Sequence, residues 1–358
     1  MPRLGRRALL ATAAKLAAVA SLAACARGAG PAAPSAPEAP RGASREGTPA
    51  SDKLEPVELA FCSQVLCILP FEVARQQGFF AAEGLDVNLV YMRGGTQAIN
   101  ALLAGSVDFV GTPIDLVVQT VAKGKPALML ASTSRLPFFA LVASPRADEV
   151  RAIRDLAGKR IGVGNLGTTD HLMALYLLTR EGVDPATVEF VALGPNLYEQ
   201  LVRGQVEAGM VQEPSLTLTE RAGGRVLVNF MRLEDTERFL GGPYQFMGLN
   251  TRPEVLATKA DTARKLIRGL IRANRWILAN PGSAIVQAVP PDLVAGGELE
   301  VFAAALDRYK ADLYPADGRL DPDAVQRVIA VQQASGAIEP GQTVRPEQVF
   351  TNQYVSEV

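Results

Sequence analysis

Short apolar runs alternate with helical stretches over most of the chain. VELAFC (57–62) reads as a strand, and Pro70 sits where a first helical turn tolerates it. FEVARQQ (71–77) follows as a helix that Gly78 closes. LDVNLVYM (85–92) is the next strand, Gly94-Gly95 a turn, and Thr96 an N-cap for QAINALLA, closed by Gly105. VDFVG (107–111), the helical IDLVVQTVAK (114–123) and ALMLAS (127–132) complete the series. Strand and helix in alternation predict a mainly parallel sheet with helices on both faces.

A second series begins at Asp155. LAGKRIGVG contains a strand, DHLMALYLLTRE is a helix ended by Gly182, and VEFVALG is a strand. LYEQLVR, ended by Gly204, leads to VEAGMV and then to RVLVNF. LLAGSVD (102–108) and LVRGQVE (201–207) share L-apolar-x-G-x-V-acid at equivalent steps of the two series. That echo predicts two lobes of similar build. Past Tyr244 the pattern changes to one strand, FMGLNTR, and helices at 260–280, 298–313 and 320–336, which are expected to pack on the first lobe. FFALVA (138–143) and QFMGLN (245–250) are then the strands that cross between lobes and act as a hinge.

The N-terminus is of another kind. MPRLGRR is basic, ALLATAAKLAAVASLAA is apolar, and small residues lead to a cysteine. Leu22-Ala23-Ala24-Cys25 resembles the lipobox of bacterial lipoproteins, which implies a signal peptide over 1–24, cleavage before Cys25 and lipid on its sulfur. Residues 25–53, rich in Pro, Gly, Ala and Ser, are expected to form a flexible tether. The expected division is lobe 1 from 54–140 and 247–358, and lobe 2 from 141–246.

The 358 residues are 48% hydrophobic and 20% charged, as in a soluble globular protein. Losing the four basic residues of 1–24 takes Lys+Arg from 36 to 32 against 37 acids, with no basic block to grip nucleic acid. A single histidine argues against a zinc site, and neither a metal nor a cofactor is expected. Cys62 and Cys67 are read as small buried residues in preference to a disulfide.

GVGNLGTTD (162–170) carries the G-x-G-x-x-G spacing of a dinucleotide fingerprint between a strand and a helix. A dinucleotide site wants an acid at the end of the next strand, and Leu193-Gly194 stand there. The glycines are read instead as a loop whose backbone N–H groups face a cleft and favour an anionic or polar group.

VARQQGFFAAEGLDVNLV, GGTQAINALLAGSVDFVG, LAGKRIGVGNLGTTDHLM and LVRGQVEAGMVQEP, in that order, resemble the landmarks of a family of substrate-binding proteins. It is the nitrate/sulfonate/taurine and thiamine-pyrimidine-precursor group (NMT1/THI5-like), and the resemblance covers roughly residues 57–350. It implies a two-lobed α/β fold of the periplasmic-binding-protein type (type II). It also implies a lipid-anchored, extracytoplasmic, monomeric receptor without catalysis that delivers a small organic solute to the membrane subunits of an ABC importer. The solute is expected to be an organic acid or sulfonate, or a pyrimidine- or flavin-type heterocycle. The alternatives are a pyrimidine-precursor enzyme on the same fold and a sensor feeding a separate signalling partner. The fungal enzymes use a cysteine-rich motif and a reactive histidine, which Cys62, Cys67 and His171 do not reproduce.

Ligands of parallel α/β lobes bind beyond the carboxyl ends of the strands. That rule nominates Gln64, Arg93, Gly95, Thr96, Thr112, Asp115, Ser132 and Thr133 in the first lobe. In the second it nominates Gly167, Thr168, Thr169, His171, Asn196 and Glu213, with Tyr244 at the second crossing to cover the ligand. Glu213-Pro214 also matches an acid-proline pair that the resemblance puts at the cleft.

Overall fold

A computed structural model describes residues 53–62, 65–92, 94–291 and 298–357. The residues expected to form the signal peptide, the lipidated Cys25 and the tether lie outside the described residues, as do Gln64 and Arg93. Ten strands form two five-stranded sheets. The first holds β1 (Glu55–Phe61), β2 (Leu85–Tyr91), β3 (Phe109–Pro113), β4 (Leu128–Ser132) and β10 (Met247–Thr251) in the order β2-β1-β3-β10-β4. The second holds β5 (Ala140–Ala143), β6 (Arg160–Val163), β7 (Glu189–Ala192), β8 (Ala208–Val211) and β9 (Arg225–Asn229) in the order β7-β6-β8-β5-β9.

The two orders correspond strand for strand. In each, the one antiparallel member is the strand that follows a crossing from the other lobe, β10 in the first and β5 in the second. Each of these also shifts register against its edge neighbour, at Leu249/Asn250 and at Leu141/Val142. Such a bulge bends the strand. The sequence echo falls at matching places. Gly105 and Gly204 have φ of 75° and 74°, a left-handed conformation that lets the chain leave a helix and enter β3 or β8.

Every residue of β3, β5, β8 and β10 is buried, which is why these strands read as continuous apolar runs instead of alternating ones. The helical tail packs mainly on the first sheet. Leu256–Ala279 lies against the helix Leu69–Gln76 and β4, and Pro322–Ala334 lies against Ile114–Ala122. The tail also reaches the second lobe. Pro322–Ala334 touches the helix Thr169–Arg180, and Tyr309 on Leu299–Leu313 accepts a hydrogen bond from Asn229 at the end of β9 (3.0 Å). Two helices of the second lobe, Ser215–Arg221 and Leu233–Leu240, have no counterpart among the sequence-based expectations. Cys62 and Cys67 are buried thiols, and burial pushes Cys62 up to about 12.

Candidate functional site between the sheet ends

Strand register fixes which ends of the sheets face each other. Ala140, the first residue of β5, pairs with Val211 and Asn229, the last residues of β8 and β9. Met247 and Gly248, the first residues of β10, pair with Pro113 and Ser132, the last residues of β3 and β4. Both crossings therefore run from carboxyl ends of one sheet to carboxyl ends of the other. Only Thr133–Phe139 separates β4 from β5, at most about 27 Å of extended chain. The crossing peptides are joined by aromatic edge-to-face contacts, Phe138 to Phe246 at 5.3 Å and Phe139 to Phe246 at 5.9 Å.

The first sheet ends in a buried polar network. Asp115, one residue into the helix that follows β3, is 1% exposed. Its Oδ1 accepts from Tyr244 Oη (2.7 Å) and from Gln332 Nε2 (2.7 Å), while Gln332 Oε1 accepts from Gln119 (2.8 Å). Burial pushes the Asp115 carboxyl up to about 6, against the opposing effect of these hydrogen bonds. Tyr244, expected to cover the ligand, is itself fully buried, and its hydroxyl donates to Asp115.

Thr112 Oγ1 accepts from Asn250 (2.9 Å), and Ser132 Oγ accepts from Gln245 (2.9 Å), so both are tied into the base of the crossings. Two buried atoms at this end, Asp115 Oδ2 and Thr133 Oγ1, have no hydrogen-bond partner among the described residues. Buried polar atoms left in this way call for a donor or acceptor from outside the fold.

The second sheet ends in the glycine loop, where two amides of the expected anion cradle are engaged from within. Asp170 Oδ2 accepts from the Gly164 amide (2.6 Å), and its Oδ1 accepts from Thr168 Oγ1 (2.5 Å). His171 Nδ1 accepts from the Gly167 amide (3.0 Å). Each glycine has its own structural cause. A Cβ on Gly162 would stand 2.6 Å from Leu197 and 2.9 Å from Leu193; one on Gly164 would stand 3.1 Å from Asp170 Oδ2; Gly167 has φ of 78°. None of the three requires a phosphate. Thr169 is buried and Thr168 partly so. His171 is half-buried edge-on to Phe190 (4.6 Å), and burial holds its imidazole below the ordinary range.

Elsewhere the nominations divide. Glu213 is buried and caps its own helix, accepting from Thr217 N (3.1 Å) and Thr217 Oγ1 (2.9 Å). Burial pushes its carboxyl up, and the nearby Arg308 charge opposes this. Asn196 is exposed at the end of a short turn after β7. Thr96 is exposed inside the first turn of Gly95–Leu103 and is not the cap, because the helix starts one residue earlier and Gly94 holds that position. Gly95 is needed for close approach, since a Cβ there would meet Leu116 at 2.5 Å.

Tyr91 and Leu166 were not nominated. They are 43% and 59% exposed and lie at or beyond the carboxyl ends of β2 and β6, with Tyr91 stacked on Phe61 at 5.2 Å. Tyr91 ends its strand, so the strand-end rule could have found it. Among the described residues, no group of three or more His, Cys, Asp or Glu could hold a metal ion.

The family model described as NMT1/THI5 like matches residues 67–284. YtlA of Bacillus subtilis, classed by its name as a binding protein, is 23% identical over 85% of this chain and 89% of its own. The 4-amino-5-hydroxymethyl-2-methylpyrimidine phosphate synthase of Aspergillus parasiticus is 24% identical over 68% of this chain and 73% of its own. A solved protein of Bordetella bronchiseptica superposes with a TM-score of 0.75 at 26% identity, covering 85% of this chain and 97% of that one. The alkanesulfonate-binding protein SsuA of Xanthomonas axonopodis, bound to MOPS, gives 0.62 at 18% identity, covering 84% and 99%.

Proposed function

The chain belongs to the NMT1/THI5-like family, and we propose that it is an extracytoplasmic solute-binding receptor of an ABC importer that closes two lobes over a small organic solute. The observation that carries this reading is the register of β5 and β10, by which both crossings, a short one at Thr133–Phe139 and a longer one that carries the helix Leu233–Leu240, join the carboxyl ends of the two sheets. Hinge closure around a ligand is the motion this layout permits. The similarity to a sulfonate-binding protein over nearly its whole length supports the same reading.

The solute's character follows from what faces it. Tyr91 and Leu166 offer apolar surface from opposite lobes, which favours an organic solute over a bare inorganic anion. Asp115 Oδ2 wants a donor, and the amides of Gly164 and Gly167 are engaged. A solute with an N–H or O–H on a flat or apolar body, such as an aminopyrimidine-type heterocycle, fits these walls better than a sulfonate whose only polar group is anionic. Lipid on Cys25 would hold the body at a membrane surface as a monomer; Cys25→Ala should release it to the soluble fraction.

A thermal-shift screen with pyrimidines, flavins, aromatic acids, sulfonates and nitrate tests this. A true ligand at 100 times its Kd adds about 2.7 kcal/mol of stability, and scattering should record compaction. Compaction with none of them would sink the proposal. The synthase relatives motivate a second reading, catalysis on the same fold. The single histidine has Nδ1 engaged by Gly167, so the receptor reading is preferred. Turnover of the bound solute by the purified protein would reverse that order.

A further inference from the structure

A cavity of about 450 Å³ opens on the first lobe, lined by Arg268, Arg272, Arg275 and Arg319 together with Glu83 and Asp317. We propose that it is a second binding site, separate from the cleft, for a phosphate-type oxyanion.

Three of the arginines, Arg268, Arg272 and Arg275, recur on one face of the helix Leu256–Ala279. Like charges three or four residues apart on a helix repel, so such a stripe is favoured only if something offsets it. The two carboxylates do so in part. Glu83 accepts from Arg268 Nε (2.6 Å) and from Arg272 (3.5 Å). Asp317 Oδ1 accepts from the backbone amide of Arg319 (3.1 Å). Arg275 and Arg319 have no ion pair among the described residues. Arg275 donates Nε to the Ala316 carbonyl (2.9 Å), and Arg319 donates one terminal nitrogen to Ser356 Oγ (3.0 Å).

These bonds hold the guanidiniums in place through one nitrogen each and leave other N–H groups for a ligand. Four guanidiniums against two carboxylates leave two positive charges on the wall. Several planar forks converging on one cavity suit a group that presents three or four oxygens. The size suits a small ligand or a lipid headgroup, and Glu83 and Asp317 disfavour a longer acidic peptide. Every lining residue comes from the first lobe, so occupancy does not depend on closure over the cleft solute.

The test uses the full chain and the double variant R275Q/R319Q, with Arg203→Gln on the second lobe as a control. Inorganic phosphate, compared with chloride at equal ionic strength, should stabilise the parent and the control, with affinity reduced at least tenfold in the double variant. Both substituted side chains are exposed, and far-UV circular dichroism checks that the variant is folded. Phosphatidylglycerol vesicles form a second arm. Arginine-dependent binding to vesicles without binding to phosphate assigns the same chemistry to a lipid headgroup. No response beyond chloride in either arm, or an equal response in the double variant, overturns the site. Binding of the cleft solute should be unchanged by R275Q/R319Q, so failure here is distinct from failure of the receptor reading.

Discussion

The carboxyl ends of the two sheets occupy the same place in two lobes of the same strand order, yet they treat polarity in opposite ways. The first sheet buries its polar groups: Asp115, Thr112, Ser132 and Tyr244 are all nearly inaccessible, and two of their neighbourhood's oxygens have no partner among the described residues. The second sheet has a glycine loop exposed at residues 165–167, and two of the loop's amides, those of Gly164 and Gly167, are answered by Asp170 and His171. A loop that engages two of its own amides has fewer left for an anion. A buried carboxylate with one oxygen unmet has something to offer a donor. We propose that polar recognition comes from the first lobe and apolar cover from both, through Tyr91 and Leu166.

The sharpest way to break this contrast is Asp170→Ala. It leaves the Gly164 amide without its partner and removes one of the two acceptors of the Thr168 hydroxyl, and we expect a loss of about 1–3 kcal/mol in urea unfolding. If the loop is instead an anion cradle held in reserve, the variant should lose little stability and should gain affinity for sulfate. Next in size is Tyr244→Phe, which removes one of two donors to Asp115 Oδ1 and should cost about 1–2 kcal/mol.

Asp115→Asn tests the first lobe through pH. The folded carboxyl sits at about 6 and its ordinary value is 3.8, so the folded state binds the proton more tightly than the unfolded chain. The cost of burying the charge is therefore fully present above pH 6 and disappears as pH falls through 6 toward 3.8. Asn keeps an acceptor for Tyr244 and Gln332 without the charge. It should be more stable than the parent by up to about 3 kcal/mol at pH 8, with the gain gone at pH 4. Melting curves for both proteins across that range check the sign; a gain that grows toward acid pH would refute it. The same substitution should weaken binding of a donor-bearing solute at least tenfold.

Much of this was legible in the sequence. The strands and the two lobes of similar build follow from β-α-β alternation and from the shared L-apolar-x-G-x-V-acid phrase, because helix stops and parallel strands leave local marks. The strand-end rule also reached Asp115 and Thr133, two of the four buried groups among the described residues that have an unmet oxygen. The fate of the glycine loop was not legible. Gly164 meets Asp170, six residues on, and a carboxylate that fills its own loop looks in sequence like any acid in a first helical turn. The bond from Tyr244 to Asp115 was not legible for a related reason: it forms in a network with Gln332, on a helix far away in the chain. The arginine cavity joins residues from four separate stretches, and spacing along one helix hints at only three of its members.

The smallest expected effect on stability is the most direct probe of apolar cover. Leu166 is 59% exposed at the tip of the second lobe's loop, so Leu166→Ser should change unfolding free energy by no more than about 0.5 kcal/mol. If the lobes close on an organic solute, the same side chain loses its water on binding. A Leu moved from exposed to buried contributes about 1.5–3 kcal/mol, so the serine variant should bind roughly tenfold or more weakly. The parallel variant Tyr91→Ser, on the opposing sheet end, should do the same. Weakened binding from one lobe only would mean that the solute rests on that lobe and closure does not enclose it. An unchanged Kd in both variants would remove the apolar walls from the site and return the choice of solute to the buried polar groups alone.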